Sequence, residues 1–204
     1  MKKDAVQVIP ISHATAVLRL GDVIIYTDPT GGVDAFAGQP AADIVLVTDI
    51  HGDHLSTSTL AAVIKEDATL IVPQAVKDLL PEDLASRATV LKNGETVTDV
   101  KGFEITGVPM YNLPESPTAF HTKGRGNGYI VANSSFRVYI AGDTSGIPEM
   151  RALTNIDVAL VPMNLPYTMS VEEAADAVLA FKPKQVYPYH YRGTDGLADI
   201  NKFK

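Results

Sequence analysis

The chain has 204 residues, which suits one domain or one compact two-layer unit. Its net charge is −7 and it has no long basic run, which argues against nucleic acid as the main partner. It has no cysteine, so disulfides are excluded and a metal ion would have to be held by His, Asp or Glu.

No apolar run approaches the roughly 20 residues that a membrane span needs, so we expect no membrane partner. The N-terminal sequence MKKDAVQVIP has two lysines but lacks the apolar segment of a signal peptide. We therefore expect a cytoplasmic protein, or a periplasmic one if a signal peptide has been removed.

The first half begins with predicted strands. VQVIPIS and TAVLRLG have the pattern of paired strands, and DVIIYTDP follows them after a Gly-Asp turn. DIVLVTD is a continuous apolar run, typical of a strand buried on both faces. Ser56 is placed to cap a helix through TSTLAAVIKED. The sequence then predicts a strand at ATLIVP, a short helix near PQAVKDLL, and strands at ATVLKN, ETVTDV and FEITGVPM.

The second half repeats this alternation. GYIVANSSFRVYIAGDT predicts a hairpin, IDVALVP a buried strand, and KQVYPYH a strand that runs into His190. GRGNG, just before the hairpin, is interpreted as a turn because it opens a strand and not a helix. SVEEAADAVLAF predicts a helix with a capping box of Ser170 and Glu173. Its expected apolar stripe consists of Val171, Ala174, Ala175, Val178 and Leu179.

Two β-rich halves, each accompanied by helices, predict two packed sheets covered by helices on their outer faces. This is an α/β fold, a four-layer αββα sandwich, and we expect it to form one domain over residues 1–204. The polar clusters Asp49–His54, Asp143 and His190 each follow a predicted strand. Because ligands gather where the strands of such sheets end, the site is expected at this edge.

The chain has five histidines, and each lies in a predicted loop or at a strand end. A single histidine of this kind is more often a surface or core residue than a metal ligand. His51 and His54, with Asp53 between them, form a denser pattern that favours a metal site. Alternate side chains of such a loop diverge, so the loop is expected to serve two metal ions.

These motifs resemble the metallo-β-lactamase superfamily, whose signature T-H-x-H-x-D-H precedes a separate His, a bridging Asp and a last His. This chain has T-D-I-H-G-D-H from Thr48 to His54, then FHTKG with His121, AGDT with Asp143 and YPYHY with His190. The resemblance covers nearly the whole chain.

Within the superfamily, the chain looks closest to the branch that contains the L-ascorbate 6-phosphate lactonase. That branch carries a G/S-H-A-S/T turn and a DP motif, which read here as SHAT with His13 and TDP with Asp28.

The resemblance implies a centre of two divalent metal ions, Zn, Mn or Fe. His51 and His121 would bind the first ion, with Asp49 in the position of the family's first histidine. The second ion would be bound by Asp53, His54 and His190, and Asp143 would bridge the two.

Asp49 departs from the family pattern, and three interpretations remain open. It binds the metal directly, it orients His51 from outside the coordination sphere, or it marks a degenerate site. As a direct ligand it would make the site more anionic, which favours Mn or Fe as well as Zn.

The implied activity is that of a metal-dependent hydrolase, in which a metal-bound hydroxide attacks a small polar substrate such as a lactone, ester or phosphoester. Asp53 or Asp49 would receive the proton, and His13 would stabilise an oxyanion. Arg192, Tyr111 and Tyr167 are the candidate substrate-binding residues; the alternatives are a solvated side chain for Arg192 and simple packing for the two tyrosines. The alternatives are a non-catalytic metal- or ligand-binding member of the fold and an iron-dependent redox variant.

Overall fold

Two six-stranded β-sheets form the centre of the computed structural model, which describes residues 6–204. The first sheet contains, in chain order, β1 (Val6–Ser12), β2 (Thr15–Leu20), β3 (Val23–Thr27), β4 (Ala42–Leu46), β5 (Ile64–Val72) and β6 (Ala88–Val90). The second contains β7 (Thr96–Val100), β8 (Phe103–Met110), β9 (Gly126–Ala132), β10 (Arg137–Ile140), β11 (Val158–Pro162) and β12 (Gln185–Tyr189). The hairpin β13 (Arg192–Gly193) and β14 (Gly196–Leu197) follows. Residues 1–5, which begin the segment considered for a signal peptide, lie outside the described residues.

Helices cover the outer face of each sheet. The first sheet carries a 3₁₀ helix (Val33–Phe36), α1 (Thr57–Val63), α2 (Gln74–Lys77) and α3 (Glu82–Ala85). The second carries α4 (Pro148–Arg151), α5 (Val171–Phe181) and α6 (Ile200–Phe203). Apolar side chains of both sheets, among them Leu18, Ile44, Ile105 and Leu160, fill the space between the sheets. The order helix, sheet, sheet, helix confirms the predicted αββα fold.

Helix α1 is shorter than the sequence pattern predicts. Ser56 caps it as expected, because its hydroxyl accepts a hydrogen bond from the Thr59 backbone N–H. The helix ends at Val63, however, and residues 64–67 belong to β5. Ile64 pairs with Ala42 of β4, and the parallel ladder resumes at Thr69 after an irregularity. These pairings, together with an ion pair between Lys65 and Asp43, outweigh the local helical preference of this segment.

Helix α5 matches its predicted bounds, but its apolar stripe is displaced. The buried positions are Ala174, Ala177 and Phe181, whereas Leu179 is 69% exposed. The Ser170 cap forms as predicted. The Glu173 carboxylate does not return to Ser170 as a capping box requires; it accepts a hydrogen bond from the backbone N–H of Gly146. The helix is therefore hydrogen-bonded, through Glu173, to the loop that follows β10.

The parallel strands of both sheets end at a common edge. Strands β3 to β6 run parallel in the first sheet, and β10 to β12 run parallel in the second. Two backbone hydrogen bonds join the sheets there: Asn127 N–H donates to the Thr48 carbonyl and His190 N–H to the His13 carbonyl. The loops after β4, β10 and β12 therefore meet at one place. In the described part of the chain, no helix has the length and apolar character needed to cross a membrane.

Candidate metal centre

The seven residues predicted to bind metal converge at this edge. Potential ligand atoms within 4.8 Å of one another fall into three groups. The groups are Asp49, His51 and His121; His54, Asp143 and His190; and His13, Asp53 and His190. Each group combines residues from loops of both sheets, so neither sheet carries a complete group by itself.

Asp143 is placed between the groups. Its carboxylate is buried, and its Oδ2 lies 3.2 Å from Nε2 of His121 and 3.3 Å from Nε2 of His54. Its Oδ1 lies 3.5 Å from Nε2 of His190. One carboxylate thus faces histidines of two groups, which is the position that a bridging ligand would need.

Three of the buried atoms at this centre have no hydrogen-bond partner among the described residues: His54 Nε2, His121 Nε2 and Asp143 Oδ1. Buried polar atoms are rarely left unpaired, because their desolvation is costly. Two ligands of one tetrahedral Zn²⁺ lie about 3.3 Å apart when both bonds are about 2.0 Å long. The separations around Asp143 have this size. The residues therefore fit divalent metal ions.

The electrostatics of the buried residues also favour a cation. Burial alone would raise the pKa of Asp143, but the charges of His54 and His190 hold it well below its usual range. Burial alone would lower the pKa of His54, but the carboxylates of Asp143 and Asp28 raise it well above its usual value. The negative potential that retains a proton on His54 would equally attract a metal ion.

Two histidines are oriented by partners outside the groups. The buried Asp28 carboxylate lies 2.8 Å from Nδ1 of His54 and accepts hydrogen bonds from the backbone N–H and the hydroxyl of Thr48. On His121, Nδ1 lies 3.2 Å from Oδ1 of Asn112. These contacts fix the ring nitrogen that carries hydrogen and point the other nitrogen of each ring into the centre.

Asp49 has a partner that the sequence did not indicate. It is fully buried, and Arg125 donates from Nε to its Oδ1 at 3.1 Å and from Nη2 to its Oδ2 at 3.0 Å. Oδ2 also lies 2.8 Å from Nδ1 of His51 and 3.7 Å from Nε2 of His121. Because both oxygens are engaged by a cation, Asp49 is poorly placed to receive a proton.

His13 lies beside Asp53. Its Nε2 is 3.4 Å from Asp53 Oδ2, and His190 Nε2 approaches the same oxygen at 3.1 Å. The rings of His13 and His190 are in contact, with their centroids 3.8 Å apart and their planes inclined by 31°. The Asp53 side chain is 42% exposed, whereas Asp49 and Asp143 are buried. Asp53 is therefore the carboxylate of the three that water and substrate can reach.

A cavity of about 290 Å³ opens onto these groups. Its wall contains His13, His51, Asp53, Phe120, His121, Asp143, Asn164, Tyr167, His190 and Arg192. Phe120 and Tyr167 pack edge to face, with ring centroids 5.0 Å apart. Arg192 supplies a positive side chain to the same wall as the carboxylates of Asp53 and Asp143. A cavity of this size suits a small molecule.

Comparison with known proteins also indicates a metal-dependent enzyme. Residues 7–190 match a family model described as a beta-lactamase superfamily domain. A UPF0173 metal-dependent hydrolase from Pyrococcus horikoshii is 33% identical, over 95% of this chain and 88% of that protein.

The chain belongs to the metallo-β-lactamase superfamily. More narrowly, it falls in the family of UPF0173 metal-dependent hydrolases, and it is a metal-dependent hydrolase.

Solved structures support the same fold for this hydrolase. A protein from Parabacteroides distasonis, described as a metal-dependent hydrolase, is 39% identical with a TM-score of 0.85, covering 98% of this chain and 86% of that chain. Igni18, a metallo hydrolase from Ignicoccus hospitalis, is 25% identical with a TM-score of 0.79, covering 98% of this chain and 88% of that chain.

Of the two candidate substrate-binding tyrosines, Tyr167 lines the cavity and Tyr111 does not. The Tyr111 side chain is instead buried against the helices of the second sheet, and its hydroxyl donates to Glu149 at 2.9 Å. Tyr111 therefore packs in the apolar cluster between the second sheet and its helices, where it stabilises the fold.

Sequence reasoning did not single out Phe120, Asn164 or Arg125 in the hydrolase. Phe120, which is exposed, and Asn164, which is buried, lie in loops, where aromatic and amide residues carry no distinguishing sequence pattern. Arg125 lies in the GRGNG segment, of which Gly124 and Arg125 form a turn and the last three residues already belong to β9. Its pairing with Asp49 spans 76 residues of chain. The sequence offered only an indirect signal, an aspartate at the histidine position of the signature directly after a continuous apolar run, and this signal does not say which residue pairs with it.

Replacing Asp28 with asparagine is expected to weaken metal binding by the hydrolase by about 10–100-fold. The change keeps the shape of the side chain but removes the negative charge that orients His54. Competition with a chromophoric chelator measures the dissociation constants. Asp34→Asn, at an exposed site in the 3₁₀ helix, is the matched control. Equal affinities in the two variants would contradict the assigned role of Asp28.

Proposed function

We propose that this hydrolase cleaves a small anionic lactone, ester or phosphoester at a centre of two divalent metal ions, with Zn, Mn and Fe as the candidates. The observation that carries the proposal is the position of Arg192 in the same 290 Å³ cavity as the three ligand groups. A guanidinium in that position suits a carboxylate or phosphate group of the substrate.

In this proposal, Asp49, His51 and His121 hold the first ion, and Asp53, His54 and His190 hold the second. Asp143 is shared, as its contacts with histidines of both sets suggest. Metal ions bound there would supply a nucleophile derived from water at neutral pH and would polarise the substrate. Because every ligand group needs both sheets, we also propose that residues 1–204 act as one domain.

Asp53 is the proposed proton acceptor. It accepts the proton that the attacking water loses and returns it to the leaving oxygen when the ester or lactone bond breaks. Its exposure and its position beside His13 support this role. His13, which also lines the cavity, is assigned to donate a hydrogen bond to the oxygen that gains negative charge.

A lactone is the substrate class to test first. The resemblance to the L-ascorbate 6-phosphate lactonase branch rests on the SHAT and TDP motifs. His13 of the first motif approaches Asp53, and Asp28 of the second orients His54. Both motifs thus serve the centre, which supports a substrate similar in kind, a small lactone with a negatively charged substituent.

The proposal is tested with metal-reloaded protein and a panel of sugar lactones with and without a phosphate group, carboxylate esters and phosphoesters. We expect turnover of at least one small anionic member, and loss of this turnover when the metal is removed. If the reloaded protein cleaves no member of the panel, the proposed substrate class is wrong.

Replacing Arg192 with alanine is expected to lower kcat/KM for the anionic substrate by about tenfold, mainly through KM. A charge-assisted hydrogen bond at an exposed position is worth about 1.5 kcal/mol, which corresponds to this factor. Turnover of the same lactone without its phosphate group should change by less than about threefold. Arg192→Lys, which keeps the charge, is expected to recover part of the loss. An equal loss for both substrates would show that Arg192 does not recognise the charge.

A further inference from the structure

Arg125 and Asp49 form a pair that nothing in the family signature requires. Asp49 stands where the signature has a histidine, and a histidine ligand binds metal in its neutral form. The Arg125 side chain is 21% exposed and donates hydrogen bonds to both carboxylate oxygens of the fully buried Asp49. Arg125 Nη2 also donates to the carbonyl of Phe120, the residue before His121.

We propose that Asp49 and Arg125 act as one neutral unit that replaces a neutral histidine at the first metal. Asp49 supplies the ligand atom, and Arg125 is a positioning residue that orients this carboxylate and cancels its charge. The net charge of the first ligand group is then the same as with a histidine at position 49. The centre is accordingly less anionic than the sequence alone indicates.

The contacts of Asp49 Oδ2 support this arrangement. That oxygen lies 2.8 Å from His51 Nδ1 and 3.7 Å from His121 Nε2, which brackets the separation of about 3.3 Å expected between ligands of one metal ion. Arg125 Nε engages the other oxygen, and Nη2 approaches Oδ2 from the side of Phe120. The planar guanidinium thereby fixes the plane of the carboxylate and ties it to the loop that carries His121.

If Asp49 and Arg125 act as one unit, the metal affinity of the first site should rise as the summed charge of positions 49 and 125 becomes more negative. Arg125→Gln leaves the sum at −1, so it should tighten binding at the first site by about tenfold or more. Asp49→His leaves an uncompensated guanidinium beside the metal, so it should weaken binding by about tenfold or more. The double variant restores a sum of zero and should bind within about threefold of the unmodified chain.

The measurement is titration of the metal-free full chain with Zn²⁺, and separately with Mn²⁺, against a competing chelator, without any activity assay. Arg87→Gln is the matched control. It removes an exposed arginine that bonds to the carbonyls of Lys65 and Glu66, and it should leave the affinity unchanged. If Arg87→Gln shifts the affinity as much as Arg125→Gln, bulk charge is the cause and the proposal is overturned.

Weaker binding by Arg125→Gln, or a double variant that binds more weakly than either single variant, would also overturn the proposal, because Arg125 would then be only a structural support. Metal-free melting curves show whether Asp49→His folds. If it does not fold, the direction in which Arg125→Gln changes the metal affinity still distinguishes a charge-cancelling role of Arg125 from a structural one. The inference rests on the proposed ligand set. His121→Ala tests that set separately: if it retains both binding steps, the assignment of the first site is wrong, independently of Arg125.

Discussion

Replacing Asp143 with asparagine is expected to lower hydrolytic activity by on the order of 10³-fold, equivalent to about 4 kcal/mol of transition-state stabilisation. The Asp143 carboxylate lies within 3.5 Å of ligand atoms on three histidines, and it is buried. An amide has the same shape but cannot offer two anionic oxygens, so the ligand groups should no longer hold metal ions together. Rates with saturating substrate and the metal content of the purified variant measure the effect.

The control for Asp143→Asn is Asp83→Asn, at an exposed position in α3. Metal-free Asp143→Asn should melt below the metal-free unmodified chain, because it loses the carboxylate that the charges of His54 and His190 stabilise. A melting transition that stays above the assay temperature shows that unfolding is not the cause of the lost activity. Full metal content together with undiminished turnover would rule out a central role for Asp143.

Removing the metal ions with a chelator is expected to lower the Tm by about 10 °C. A ligand present at 1,000 times its dissociation constant stabilises the native state by about 4.1 kcal/mol, and 1 kcal/mol shifts the Tm of a domain of this size by about 2–4 °C. The physical source is local: chelation leaves His54 Nε2, His121 Nε2 and Asp143 Oδ1 buried without partners.

Melting curves after re-addition of Zn²⁺, Mn²⁺ or Fe²⁺, one at a time, would rank the metals by the Tm that each restores. Asp143→Asn should respond to chelator by less than about 3 °C, since it has little bound metal to lose. A Tm that is insensitive to chelator in the unmodified chain would indicate that the centre does not bind metal tightly.

The local patterns of the sequence predicted most strands and the αββα layers correctly, because alternating and continuous apolar runs report which faces are buried. The predictions from these patterns were wrong where contacts with residues distant in the sequence outweighed the local preference. Residues 64–67 have a helical pattern but form part of β5, whose first residue, Ile64, pairs with Ala42 of β4. Glu173 was expected to complete a capping box but supports the loop after β10. Tyr111 was assigned to the cavity from its loop, and tertiary packing buried it.

Chain order and strand direction are enough to predict which donor residues meet at the strand ends, because they place Asp49–His54, Asp143 and His190 at one edge of the sheets. It could not determine the charge of that centre. Electrostatics depends on distance in space, and Arg125, which is 76 residues from Asp49 along the chain, approaches it only when β9 packs beside the loop after β4. The tertiary structure thus decided that the unusual aspartate has a cationic partner, and that Asp53 is the accessible carboxylate.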